Sequence, residues 1–141
     1  MFGLDQWASI NHFSREEFVS PDTKTEDMDY TFMYNLDGLR GDCGFPFRIN
    51  SGWRSPNHNH LIGGAEHSPH LEGLAVDIAV WGKQAFVLLD QISKFNAAQI
   101  TPYFTGIGIA QRGAVQHRFV HVDAARPIDS VRPRPWVWTY S

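Results

Sequence analysis

The sequence predicts an α+β fold in one small domain, and three observations point to it. Two stretches, 26–40 and 82–96, carry apolar residues at helical spacing. Four short runs of β-prone residues lie around them, at 47–50, 74–80, 106–109 and 119–123. No repeat, low-complexity run or linker interrupts the 141 residues, a usual length for one core, so a single domain over 1–141 is expected.

The elements follow in order. Ser14-Arg15-Glu16-Glu17 has the Ser-x-x-Glu pattern in which a serine and a glutamate satisfy each other's backbone amides at a helix start. Phe13 and Phe18 form the matching apolar staple, so one helical turn is expected there, ended by Ser20-Pro21. Met28, Phe32, Leu36 and Leu39, joined by Met33, mark the first long helix, and Gly41 and Gly44 close it. Phe47 to Asn50 reads as a strand. Residues 51–73 are rich in Gly, Pro, Asn and His, an irregular stretch long enough to suggest function. Leu74 to Val80 is a strong strand, and Gly82 to Asn96 an amphipathic helix with Phe86, Leu89 and Ile92 on one face. Gly106 to Ile109 and Phe119 to Asp123 are two further strands. The tail carries Pro127, Pro133 and Pro135 and then Trp136-Val137-Trp138, expected to wrap the domain in extended form with its tryptophans packed down.

Composition narrows the function classes. Hydrophobic residues make up 43% and aromatics 13%, enough to fold without staples, while only 19% are charged and the net charge is −3. With scattered basic residues, that balance argues against a nucleic-acid partner gripped by broad electrostatics. Cys43 is the only cysteine, so an internal disulfide and a Cys-rich zinc knuckle are both excluded. With only Arg40 as a basic neighbour, Cys43 reads as inert. Residues 1–10 lack a basic, apolar leader, so synthesis in the cytoplasm without a signal peptide is expected. No apolar run is long enough to insert into a membrane.

Two strands share an unusual design. In Ala75-Val76-Asp77-Ile78-Ala79-Val80 side chains alternate faces, and Asp77 stands alone among alanines opposite an apolar face. In Phe119-Val120-His121-Val122-Asp123, Val120 and Val122 take the apolar side and Phe119, His121 and Asp123 the other. A carboxylate among alanines is costly unless it is paired or binds a metal. If the strands share a sheet, Asp77 and His121 point into one cleft. His70, seven residues before Asp77 with Gly73 between, can reach that cleft from the preceding loop. Two histidines and a carboxylate, with one position open, are how a catalytic zinc is held. The predicted metal ligands are His70, Asp77 and His121, for one Zn2+.

The motifs appear in a telling order: Ser51-Gly52-Trp53-Arg54-Ser55-Pro56, then Gly63-Gly64-Ala65, then Ser68-x-His70-x-x-Gly73-x-Ala75-x-Asp77, then Phe119-Val120-His121-Val122-Asp123. Together they resemble the zinc D-Ala-D-Ala carboxypeptidase family and its relatives among phage endolysins and dipeptidases, over most of the chain. The resemblance implies a small α+β domain whose antiparallel sheet, with flanking helices, forms the zinc cleft. It implies that His70, Asp77 and His121 hold the zinc. It gives Arg54 a part in binding substrate and stabilising the tetrahedral intermediate, and Ser68 a substrate contact. Many relatives carry Asp or Glu three residues before the last histidine ligand, as general base. Here that position is Arg118, which cannot accept a proton. Asp123 is the first substitute and His117 the second.

Plainer readings stand beside these. Most of His12, His58, His60, His67 and His117 read as bystanders; His58 and His60 sit in a polar loop, although they could line a substrate groove. Arg54 could form a structural salt bridge, and Asp123 could orient a histidine ligand rather than act as base. Trp136 and Trp138 read as core cover rather than a sugar platform. The expected function is a zinc peptidase cutting a bond in peptidoglycan stem peptides, of D-Ala-D-Ala carboxypeptidase or endopeptidase type. The expected protein is a monomer acting at the bacterial wall, as a phage lysis protein would. Arg118 keeps open a non-catalytic zinc-binding module of the same fold. A structural virion component is a third class, which no residue favours.

Overall fold

The computed structural model describes residues 3–140. The chain starts with a one-turn helix that the sequence pattern did not announce, α1 (Leu4–Ala8), which buries Trp7. A 3-10 turn over Arg15–Phe18 follows, where Ser14 N donates to Glu17 Oε2 at 2.7 Å and the Phe13 and Phe18 rings meet edge-on at 5.4 Å.

The first long helix, α2 (Tyr30–Cys43), begins later than the periodicity suggests. Asp29 caps it, accepting from Phe32 N at 2.9 Å. Before it, buried Glu26 accepts from Met28 N at 2.9 Å and from Arg15 Nε at 3.3 Å, which ties residues 26–28 into an extended entry. Gly41 lies inside the helix, and Gly44, at φ 75°, ends it. The stretch expected to be irregular holds α3 (Pro56–Leu61), whose Ser55 accepts from His58 N at 3.1 Å. The second long helix, α4 (Gly82–Ala97), packs Ala85, Leu88 and Ile92 into the core. Phe86 is not on that face: it is 74% exposed, because it lies roughly 100° around the helix from Ala85.

Five strands form one sheet: β1 (Ile49–Ser51), β2 (Ala75–Ile78), β3 (Gly106–Ala110), β4 (Phe119–Asp123) and β5 (Trp136–Thr139), in the order β1-β2-β4-β3-β5. The expected antiparallel sheet holds for β1–β2, β2–β4 and β3–β4. The tail departs from expectation. It is extended as expected, but it joins the sheet as a strand, and β5 pairs with β3 in parallel, so the sheet is mixed. Parallel pairing follows from the route of the chain: β4 ends beside the start of β3, and 124–135 stays at that end and passes to the far side of β3, where Trp136 N donates to Thr105 O at 2.8 Å.

Val76, Ile78, Val120 and Val122 join Phe32, Met33, Leu36, Leu39, Leu88 and Ile92 in one hydrophobic cluster. That is the apolar face predicted from strand alternation. The helices therefore cover one side of the sheet, and the polar residues of β2 and β4 are left for the other. No helix among the described residues is long and apolar enough to cross a membrane.

Candidate metal centre

The centre of the sheet brings the first two candidate ligands together. Asp77 on β2 stands directly opposite His121 on β4, with Ala75 opposite Asp123. Asp77 Oδ1 is 3.0 Å from His121 Nδ1. His70 arrives from a 3-10 turn over Pro69–Glu72 that runs straight into β2. Gly73 ends that turn at φ 71°, where any side chain would be strained and a Cβ would come within 2.1 Å of Asp27 O. The His70 ring is 5.2 Å from the His121 ring, and His70 Nε2 is 3.3 Å from Asp77 Oδ1. One ligand atom from each of His70, Asp77 and His121 lies within 4.8 Å of the others.

The hydrogen bonds decide which atoms face the cluster. His70 Nδ1 lies 2.7 Å from Gly52 O, and a carbonyl only accepts, so Nδ1 carries the proton. His70 Nε2 then offers a lone pair, and it is buried with no hydrogen-bond partner. His121 Nε2 lies 2.7 Å from Asp123 Oδ2 and donates to it, which leaves the Nδ1 lone pair facing Asp77. Two imidazole lone pairs and a carboxylate thus converge on one point. Such an arrangement repels itself unless a cation or a proton sits between, and the donor set suits zinc. The titration behaviour agrees. Burial pulls the His121 imidazole down, but its bonds to Asp123 and Asp77 outweigh that and hold it above its ordinary value. Burial pushes Asp77 up, yet the two imidazoles hold it below the usual carboxylate range.

Asp123 stands behind His121 rather than in the cleft. It is fully buried, and each of its oxygens takes two hydrogen bonds. Oδ1 accepts from Arg134 Nε at 3.0 Å and Ala125 N at 3.1 Å; Oδ2 accepts from Arg134 Nη2 at 2.8 Å and from His121. Burial raises this carboxyl, but His121 and Arg134 prevail and bring it to about 2. Two glycines on β3 make room for the assembly. Gly106 pairs with Asp123 and Gly108 with His121. A Cβ at Gly106 would lie 2.2 Å from Asp123 Oδ2, and one at Gly108 would lie 2.7 Å from the Trp138 ring. Trp138 in turn packs 5.1 Å from the His121 ring, with the Arg134 guanidinium 5.1 Å from the indole.

The sequence profile of the peptidase M15 family, the zinc D-Ala-D-Ala carboxypeptidase-like group, matches residues 11–123. The chain belongs to the peptidase M15 family. No curated protein matches it. Family membership makes a peptide the class of substrate and zinc the metal that the family uses.

As a member of the M15 family, the chain opens its candidate ligand cluster into a cleft of about 770 Å3, a usual size for a ligand site. Arg54 lines it. Its Nε donates to Ser51 Oγ at 3.2 Å, Nη1 to Asn59 Oδ1 at 3.2 Å and Nη2 to Asp77 Oδ2 at 3.5 Å. A salt bridge to Asp77 and a place in the cleft are thus both real, because the outer N–H groups of the fork still have hydrogens to offer. Ser68 lines the cleft too, and its hydroxyl accepts from His70 N at 3.3 Å. His117 and Arg118 do not line it. Arg118 instead donates to Gly113 O through Nε at 2.9 Å and Nη2 at 2.7 Å. His58 and His60 are also outside the lining, whereas Glu66 and His67 are part of it.

Sequence reasoning missed Arg134, Gly106 and Gly108. The glycines carried a readable signal, since two glycines alternating within a strand mark a close approach by other groups. Trp138 and Trp136 were read as core cover; both line the cleft, and Trp136 is 55% exposed.

Proposed function

We propose that this chain is a zinc metallopeptidase that hydrolyses a peptide bond in peptidoglycan stem peptides at the bacterial cell wall. The observation that supports it most is the convergence of His70 Nε2, His121 Nδ1 and Asp77 in a cleft of peptide size, inside a chain of the M15 family. Zinc held by His70, Asp77 and His121 supplies Lewis-acid polarisation of a carbonyl and acidification of water.

The remaining chemistry belongs to side chains. Arg54, fixed on three sides, presents N–H groups to a developing oxyanion or to a terminal carboxylate of the substrate. Ser68 keeps its hydroxyl at the cleft wall beside His70. Asp123 fixes the His121 ring and its tautomer, a role its four hydrogen bonds support better than proton abstraction. Glu66, exposed on the cleft lining, is the carboxylate there apart from Asp77 and so the side chain to test as proton acceptor. Action at the wall as a phage lysis protein agrees with the resemblance of the motifs.

A second reading, a non-catalytic zinc module, is favoured by one observation: the position three before His121 is an arginine turned toward Gly113. Purified protein incubated with stem peptides, with and without a chelator and read by mass spectrometry, separates the two. Chelator-sensitive cleavage is expected, with the fragment masses naming the bond, and Glu66→Gln is expected to slow it while zinc content holds. Bound zinc without any cleavage would overturn the peptidase reading in favour of the module.

A further inference from the structure

The family match ends at residue 123, yet the cluster is not complete there. Arg132, Arg134, Trp136, Trp138 and Tyr140 line the cleft from beyond that boundary. Among them Arg134 makes the most direct link to the ligands. Its guanidinium forks onto both oxygens of Asp123, at 3.0 Å to Oδ1 and 2.8 Å to Oδ2. Asp123 is 0% exposed, so it has no water to stabilise its charge. Its second oxygen holds His121 Nε2 at 2.7 Å.

We infer that Arg134 is a positioning residue of the metal centre, which acts through Asp123 to set the His121 ring so that Nδ1 faces the metal.

With the imidazole and Ala125 N as its only partners, the Asp123 carboxylate would be free to turn, and the His121 ring would turn with it. A guanidinium on the same carboxylate supplies the compensating charge that lets the pair be buried. The bidentate fork also fixes the plane of the carboxylate, and with it the plane of the ring. Trp138 closes the other side: it lies 5.1 Å from the His121 ring and stacks under the same guanidinium at 5.1 Å. Gly106 is the position on β3 where the carboxylate would otherwise collide with a side chain. Charges balance in pairs before any metal arrives, Arg54 with Asp77 and Arg134 with Asp123. A divalent ion then leaves the cleft net positive and suited to an anionic transition state.

The inference rests on the metal reading of His70, Asp77 and His121, but not on the peptidase reading. Its test therefore needs no substrate. Zinc affinity is measured on wild type, Arg134→Gln and Arg134→Lys by competition with a chromophoric chelator, alongside thermal melting of each metal-free protein. Loss of an outer partner of this kind weakens metal binding by roughly 10–100-fold. That loss is expected for Arg134→Gln, with Arg134→Lys, which keeps the charge but not the fork, in between. Nitrogen NMR of the zinc-loaded proteins should show an altered His121 ring in Arg134→Gln, with the His70 ring unchanged. Zinc affinity within about twofold of wild type in Arg134→Gln, whatever its melting temperature, overturns the inference and leaves a merely structural arginine. Should Arg134→Gln fail to fold, the Arg134→Lys affinity decides on the same criterion. A wild type that binds no zinc overturns the metal centre and this inference together, whereas zinc binding without peptide cleavage sinks only the peptidase.

Discussion

The β2–β4 pair and the segment 124–140 serve the same cleft but are built in different ways. In β2 and β4 each residue's role follows from its parity: Val76, Ile78, Val120 and Val122 go to the core, Asp77 and His121 to the cleft. Both strands have a partner on each edge, and every residue of β2 is buried. The 124–140 segment has no such frame. Its strand β5 is at the sheet edge, with Trp136 and Val137 largely exposed. It is tied down by its one ladder with β3 and by particular side chains: Arg132 to Glu72 and to His67 O, Arg134 to Asp123, Trp138 against His121. The comparison teaches that strand alternation places two of the three candidate metal ligands, Asp77 and His121, while the groups packed behind and beside them come from a segment with no such pattern.

The sharpest way to break this comparison is to remove a ligand. His70→Ala or Asp77→Ala should abolish zinc binding and turnover together, as measured by metal content after dialysis and by stem-peptide cleavage. Retention of stoichiometric zinc in either variant would mean that this cluster is not the metal site. A smaller effect sharpens the junction between the two regions. Gly106→Ala places a methyl group 2.2 Å from the Asp123 carboxylate, which Arg134 and Ala125 N hold from behind. Overpacking of that kind costs about 1–3 kcal/mol, read from the urea midpoint, and zinc affinity should fall with it. An unchanged midpoint would show that the carboxylate has room to move. The smallest effect is expected outside the cleft. Arg118→Ala loses only its bonds to Gly113 O, so turnover and zinc content should stay close to wild type, and a large drop in turnover would bring that side chain into the reaction.

The legible part of the fold was the part with local periodicity. Strand alternation located the core face and the ligands on β2 and β4, because a side chain's face depends only on parity. Helix faces were less secure. The apolar stripe of α4 was read through Phe86, but the side chain is outside, since two consecutive i+3 steps drift around the helix and only packing against α2 shows which phase is buried. The late start of α2 depended on Glu26, a charged residue whose burial against Met28 N and Arg15 no pattern of apolar residues reports.

By itself the sequence determined the class of fold, the apolar and polar faces of the central strands, and the three side chains that converge on a metal position. These rest on near neighbours: alternation in strands, a glycine that ends a turn, motifs whose spacing is fixed within a few residues. Only the tertiary structure decided the parallel placement of β5, the position of Asp123 behind His121, and the arrival of Arg134 at Asp123 and of Trp138 at the His121 ring. Those depend on contacts across the sheet between residues far apart in the chain. A charged group can be buried there only if its partner is brought to it by the fold, and sequence spacing carries no record of that meeting.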